Sequence, residues 1–83
     1  GELNFTVEDT DASIRQIKQF YADSVLRITA TDGLSMEFEH WRFNLRASNT
    51  EPLLRLNIET RGDTQLLEQK ITQLTKLIQF ITD

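Results

Sequence analysis

The chain has no cysteine, which removes disulfides, thiolate metal sites and cysteine nucleophiles together. Its only histidine is His40, so a multi-histidine metal centre is excluded. Three glycines and one proline leave no linker, and there is no repeat or low-complexity tract. No apolar run approaches the ~20 residues that a membrane span needs, and no signal-peptide pattern opens the chain. The expectation is therefore a cytoplasmic protein with no membrane association. What is present is an ordinary globular mixture, 39% hydrophobic and 27% charged, apolar enough to fold rather than stay disordered. Eighty-three residues support one core, and 1–83 reads as a single domain.

The formal charge of −4 is unevenly spread. Residues 1–24 carry five acids against Arg15 and Lys18. Residues 25–61 balance five acids with Arg27, Arg42, Arg46, Arg55 and Arg61. An acidic whole argues against non-specific nucleic-acid binding, which needs a positive face. Every base of the middle segment is nonetheless arginine, the side chain that grips phosphate with a planar fork. That combination points to a local anion site.

Periodicity divides the chain into strands and helices. Leu3-Asn4-Phe5-Thr6-Val7 alternates apolar and polar, as a half-buried strand does. Glu8-Asp9-Thr10-Asp11 offers N-cap chemistry, and Ile14, Ile17, Phe20 and Tyr21 then predict a short amphipathic helix over about 12–22. Leu26, Ile28 and Ala30 alternate next, and Asp32-Gly33 signals a two-residue hairpin because both residues tolerate positive φ. Leu34, Met36 and Phe38 follow, then a tight connection near Glu39-His40-Trp41, then Phe43 and Leu45. Leu54, Leu56 and Ile58 make the last strand. Asp63 can cap a final helix, whose Leu67, Ile71, Leu74, Ile78 and Ile81 carry the strongest helical period, widened by Leu66, Leu77 and Phe80. These elements predict an α+β two-layer sandwich: a mainly antiparallel four-stranded sheet, the opening strand available as an N-terminal edge, and two helices covering one face. The polar face is left for water or another domain.

One segment stands apart. Arg46-Ala47-Ser48-Asn49-Thr50-Glu51-Pro52 places a guanidinium, two hydroxyls and a carboxamide within five positions on a loop between strands. These are the donors that surround a phosphate dianion, and small polar residues also allow backbone N–H groups to form an anion nest. The same residues equally suit an ordinary surface turn. The residues alone leave both readings open.

The segment resembles the C-terminal phosphate loop of the α-D-phosphohexomutases, the group that includes phosphomannomutase and phosphoglucomutase. That loop usually runs Arg-x-Ser-(Gly or Asn)-Thr-(Glu or Thr)-Pro. Asp32-Gly33-Leu34-Ser35-Met36-Glu37-Phe38 before it and Leu54-Arg55-Leu56-Asn57-Ile58-Glu59 after it resemble the same group. Asn49, Trp41-Arg42-Phe43-Asn44-Leu45-Arg46 and Arg61-Gly62-Asp63 are most similar to the bacterial phosphomannomutase branch, and Gly1-Glu2-Leu3-Asn4-Phe5 resembles the start of its fourth domain. The resemblance implies a domain of an enzyme that interconverts hexose 1- and 6-phosphates, mannose phosphates in that branch. A phosphoserine and Mg²⁺ in other domains carry the chemistry through a bisphosphate, and a hexose 1,6-bisphosphate acts as activator. It assigns to Arg46, Ser48, Asn49 and Thr50 the holding of the phosphate that is not reacting. The partners it implies are a phosphorylated hexose and the other domains of a longer chain. No phosphoserine motif, metal loop or sugar-specificity loop of that group occurs here. The expectation is therefore no catalytic residue, no metal or cofactor in this domain, and no mutase activity for it alone.

Alternatives remain on the same residues. Glucose or glucosamine can replace mannose, since sugar recognition would lie in other domains. A non-enzymatic module could bind a protein or RNA through the polar sheet face, although that face lacks the alternating aromatics that base stacking needs. His40 and Trp41 read as a hairpin with a packed indole. Arg61-Gly62-Asp63 reads as a helix entry. Glu37, Glu39 and Glu59 read as a charge ladder with Arg42 and Arg55.

Overall fold

In a computed structural model of the chain, described for all residues except Gly1, Asp32, Asn49 and Asp83, alternation produces five strands. They are β1 (Glu2–Thr6), β2 (Arg27–Thr29), β3 (Leu34–Glu37), β4 (Trp41–Ala47) and β5 (Leu53–Thr60). They form one sheet in the order β1-β5-β4-β3-β2, with every pair antiparallel. The helices are α1 (Thr10–Phe20) and α2 (Thr64–Thr82). The chain is an α+β sandwich, and its opening strand is an edge of the sheet, beside β5.

The register explains the core. Leu3, Leu56, Leu45 and Leu34 line up across four strands, and Ile58, Phe43, Met36 and Ile28 form a second apolar row. Because side chains alternate between faces, both rows lie on one side of the sheet. Leu34, Met36, Phe43, Leu45, Leu54 and Leu56 are all within 4% of complete burial. Ile17 of α1 and Leu74 and Ile78 of α2 join them.

Caps fix the helix starts. Asp9 Oδ1 accepts from the Ala12 N–H at 3.0 Å, so α1 begins directly after Asp9, earlier than periodicity predicts. Asp63 Oδ1 accepts from the Leu66 N–H at 2.9 Å and opens α2 as expected. Phe20 and Phe80, expected on the buried stripes, are 56% and 80% exposed. Phe20 is the last residue of α1, and Phe80, near the end of α2, lines the same open depression as Phe20, Leu77 and Ile81. Among the described residues no helix is long and apolar enough to cross a membrane.

The turns differ in kind. Phe38 N–H donates to the Trp41 carbonyl at 2.8 Å, which leaves Glu39-His40 as a tight hairpin. The expected two-residue turn between β2 and β3 is longer, because β2 stops at Thr29 and the connection runs from residue 30 to Gly33. Asp32 lies outside the described residues, while Gly33 has the positive φ of 78° that its sequence context suggested.

Under the Glu39-His40 turn sits an aromatic cluster. Phe38 stacks on Trp41 at 4.3 Å, nearly parallel, and Tyr21 meets Trp41 edge-on at 5.5 Å. Burial pushes the Tyr21 phenol up to about 12, so it stays protonated and donates to Gln73 Oε1 at 2.8 Å. Lys70 Nζ lies 4.7 Å from the Trp41 ring centroid. His40 is largely exposed and approaches Glu39 at 3.7 Å.

Candidate functional site

The opposite face of the sheet carries the polar side chains, and register sorts them into three rows. The row nearest the Glu39-His40 turn reads Glu59, Arg42, Glu37, Arg27 across β5, β4, β3 and β2. Signs alternate at each step, and Arg42 approaches Glu37 at 3.8 Å. The middle row reads Glu2, Asn57, Asn44, Ser35, Thr29, and Asn44 Nδ2 donates to Ser35 Oγ at 2.9 Å. The third row reads Asn4, Arg55, Arg46 across β1, β5 and β4, and among the described residues no acid occupies it.

This corrects the sequence-based charge ladder. Arg55 is not part of it, and Glu39 leaves the sheet for the turn. Arg27 supplies the second cation. Arg55 instead faces Arg46 directly, at the base of the β4–β5 loop. Like charges opposed across a ladder are unfavourable. Both side chains are half-buried. Arg55 Nε is buried with no hydrogen-bond partner among the described residues, and an unmet buried donor costs about 1–3 kcal/mol. Sequence reasoning missed Arg55. Its signal, another arginine nine positions after Arg46, acquires meaning only through the register.

The loop closes on itself above these arginines. Ser48 N–H donates to the Leu53 carbonyl at 2.9 Å, and Leu53 N–H donates to the Glu51 carbonyl at 2.8 Å. Pro52 presents its carbonyl to Val7 N–H at 2.9 Å, which ties the loop to the end of β1. Thr50 N–H reaches Ser48 Oγ at a long 3.4 Å. The backbone donors of Ser48 and Thr50 therefore serve the loop, and no nest is built from them. Side-chain donors are available to an anion. Ser48 Oγ accepts from Thr50 and still has its own O–H to donate, and Thr50 is exposed at the loop's surface. Asn49 lies outside the described residues. An open depression of about 610 Å³ brings Arg46, Ser48, Thr50 and Arg55 together with Gly33 and Ile14.

A second depression, about 310 Å³, lies at the other end of the face and mixes Glu37 and Glu59 with Arg42 and Arg61. Its charges balance, so it offers no net pull on an anion. The sheet's own aromatics, Phe5, Trp41 and Phe43, fall by alternation on the helix-covered side. The polar face thus has no stacking platform for bases among the described residues.

Comparison with known proteins decides the family. Residues 2–76 match the family described as phosphoglucomutase/phosphomannomutase, C-terminal domain. The chain belongs to that family. "Phosphohexose mutases" of Xanthomonas campestris pv. campestris is 50% identical over 78 residues, 94% of this chain and 17% of that protein. A phosphomannomutase of Vibrio cholerae serotype O1 is 49% identical over the same span, again 17% of its length. A phosphomannomutase of Methanocaldococcus jannaschii is 40% identical with the same coverage. The chain thus spans less than a fifth of the length of these relatives.

Proposed function

We propose that this domain holds one phosphate of a phosphorylated hexose for a longer mutase chain. The observation that carries the reading is the third row: two opposed arginines, one with an unmet buried donor, beneath a loop of hydroxyls. Arg46 and Arg55 supply charge, and Ser48, Asn49 and Thr50 supply directional hydrogen bonds. The substrate class is a hexose phosphate, with mannose favoured by relatives named phosphomannomutase. A site built from charge and hydroxyls reads a dianion rather than the stereochemistry of a sugar. It would accept the phosphate from either end of the molecule, as an exchange between the 1- and 6-positions requires. Held at this distance from the reacting end, the phosphate contributes binding energy that orients the substrate.

Among the described residues no three His, Asp or Glu side chains gather to hold a metal ion. The Mg²⁺ ion, the phosphoserine and the sugar-reading groups belong to other domains in this proposal, and so does the chemical step.

The test is an amide chemical-shift titration of the chain with mannose 6-phosphate and, separately, inorganic sulfate. Saturable shifts at residues 46–50 are expected with both ligands. One charge-assisted hydrogen bond contributes about 1.5–3 kcal/mol, so Arg46→Ala should weaken binding by about 10- to 150-fold. A loop that ignores both ligands, or an affinity that Arg46→Ala leaves intact, would refute the reading.

A further inference from the structure

Two glycines of the chain share nearly the same backbone conformation but not the same surroundings. Gly33 has φ +78° and Gly62 has φ +74°, both in the region that side chains rarely adopt. A Cβ built on Gly62 would meet nothing within 4 Å. A Cβ on Gly33 would lie 2.5 Å from Arg46 Cγ, 2.7 Å from the Leu45 carbonyl oxygen and 3.3 Å from Arg46 Cα. Two of those three atoms are backbone, and the third is the root of the arginine stem rather than its mobile end. No rotation of the guanidinium alone relieves the contact. Either β4 shifts or the Arg46 stem leaves its place.

The register explains why they meet. Leu34 pairs with Leu45, so the next position along each strand sets Gly33 beside Arg46, extending the row of Asn4, Arg55 and Arg46. Arg55 stands on one side of Arg46 with a cation that repels it. On the other side the row ends in a residue with no side chain. The stem of Arg46 therefore has Arg55 against one flank and bare backbone on the other.

We propose that Gly33 is a positioning residue for the anion site: its side-chain-free backbone is the surface on which the Arg46 stem rests, and this sets where its guanidinium stands beneath the 48–52 loop. The proposal rests on the reading of Arg46 as a phosphate ligand. It explains why a turn in a different hairpin has a glycine requirement beyond its own φ. Gly33 touches no ligand itself and acts only through Arg46.

The experiment pairs Gly33→Asn with Gly62→Asn, because asparagine accepts positive φ far better than most residues and both variants then share the backbone strain. Sulfate affinity is read from the amide shifts of residues 46–50. Gly33→Asn should weaken it at least tenfold, whereas Gly62→Asn should change it less than twofold. Equal effects of the two variants, with Arg46→Ala still abolishing the response, would overturn the seating role and leave the phosphate reading intact. No sulfate response in the unmodified chain would overturn the phosphate reading, and this proposal with it. A second measurement covers poor folding of Gly33→Asn. Its drop in melting temperature should shrink in an Arg46→Ala background, where Cγ is gone, while the drop for Gly62→Asn should be the same in both backgrounds. An undiminished drop, or failure to fold in both backgrounds, would show that the Leu45 carbonyl alone sets the requirement and would overturn the proposal.

Discussion

The two ends of the polar sheet face are built from the same kind of residue to opposite purpose. At the Glu39-His40 end, Glu59, Arg42, Glu37 and Arg27 alternate in sign across four strands, and the Phe38–Trp41 stack lies on the far side of the same strands. At the loop end, Arg55 and Arg46 oppose each other, backed by Leu54 and Ala47. One end alternates its charges from strand to strand and sits on large aromatic surface. The other sets two like charges opposite each other and has small aliphatic support. Departures from local rules tend to concentrate where a protein does its work, and here they fall together at the loop.

The comparison predicts where stability resides. Trp41 is 8% exposed and touches Phe38, Tyr21 and Lys70. Truncating a buried aromatic costs about 3–5 kcal/mol, so Trp41→Ala should be the most destabilising of these changes in urea denaturation. The protein that remains folded should bind sulfate within about twofold of the unmodified chain, because the loop lies at the far end of β4 and distant sites act independently. A loss below 1 kcal/mol, or a parallel loss of sulfate binding, would mean that the two ends are not separate units.

Arg55 sharpens the contrast, because stability and binding should move in opposite directions. Arg55→Met keeps most of the apolar stem while removing the charge and the unmet Nε donor. Relief of the like-charge pair is worth about 0.2–1 kcal/mol and removal of the unmet donor about 1–3 kcal/mol, so the variant should be more stable. Sulfate affinity should fall about tenfold or more, the worth of one charge-assisted bond. A variant that loses both stability and binding would show that Arg55 is structural and that the row is not built for an anion.

Much of this was legible in the residues, and the reasons for the rest are physical. Alternation exposes the strands and their faces because a side-chain period of two survives in any sheet. The Asp63 cap and the Leu67–Ile81 stripe likewise reveal α2 from one chain segment. Neighbours across a sheet are different, since they depend on register. Arg55 read as a partner for carboxylates until pairing put Arg46 beside it, and Arg27 read only as one of the arginines of the middle segment until it closed the alternating row. Gly33 announced a turn but not its contact with Arg46, which belongs to another strand. Phe20 and Phe80 fit their helical stripes and yet lie exposed, because a stripe says which side of a helix is apolar and not how much of that side its neighbours cover. The loop 46–52 was visible as a collection of donors. Which donors remain for a ligand follows only from seeing Ser48 and Thr50 N–H groups engaged within the loop.

The smallest effect tests whether charge by itself makes the site. Glu37 and Arg42 lie 3.8 Å apart with side chains 43% and 48% exposed, so solvent screens them and the pair contributes at most about 0–1 kcal/mol. Glu37→Gln should therefore shift the melting temperature by no more than a few degrees. Its value lies elsewhere, because it leaves Arg42 and Arg27 flanking an amide and makes the balanced end locally positive. If a pair of nearby arginines were sufficient to bind an anion, sulfate would begin to move the amides of residues 37–42. It should not, because that end has a tight Glu39-His40 turn in place of a loop of hydroxyls, and charge without directional donors attracts an anion without fixing it. Saturable sulfate shifts at 37–42 in Glu37→Gln would reduce the difference between the two ends to a count of charges, and Ser48 and Thr50 would then lose their assigned part in binding.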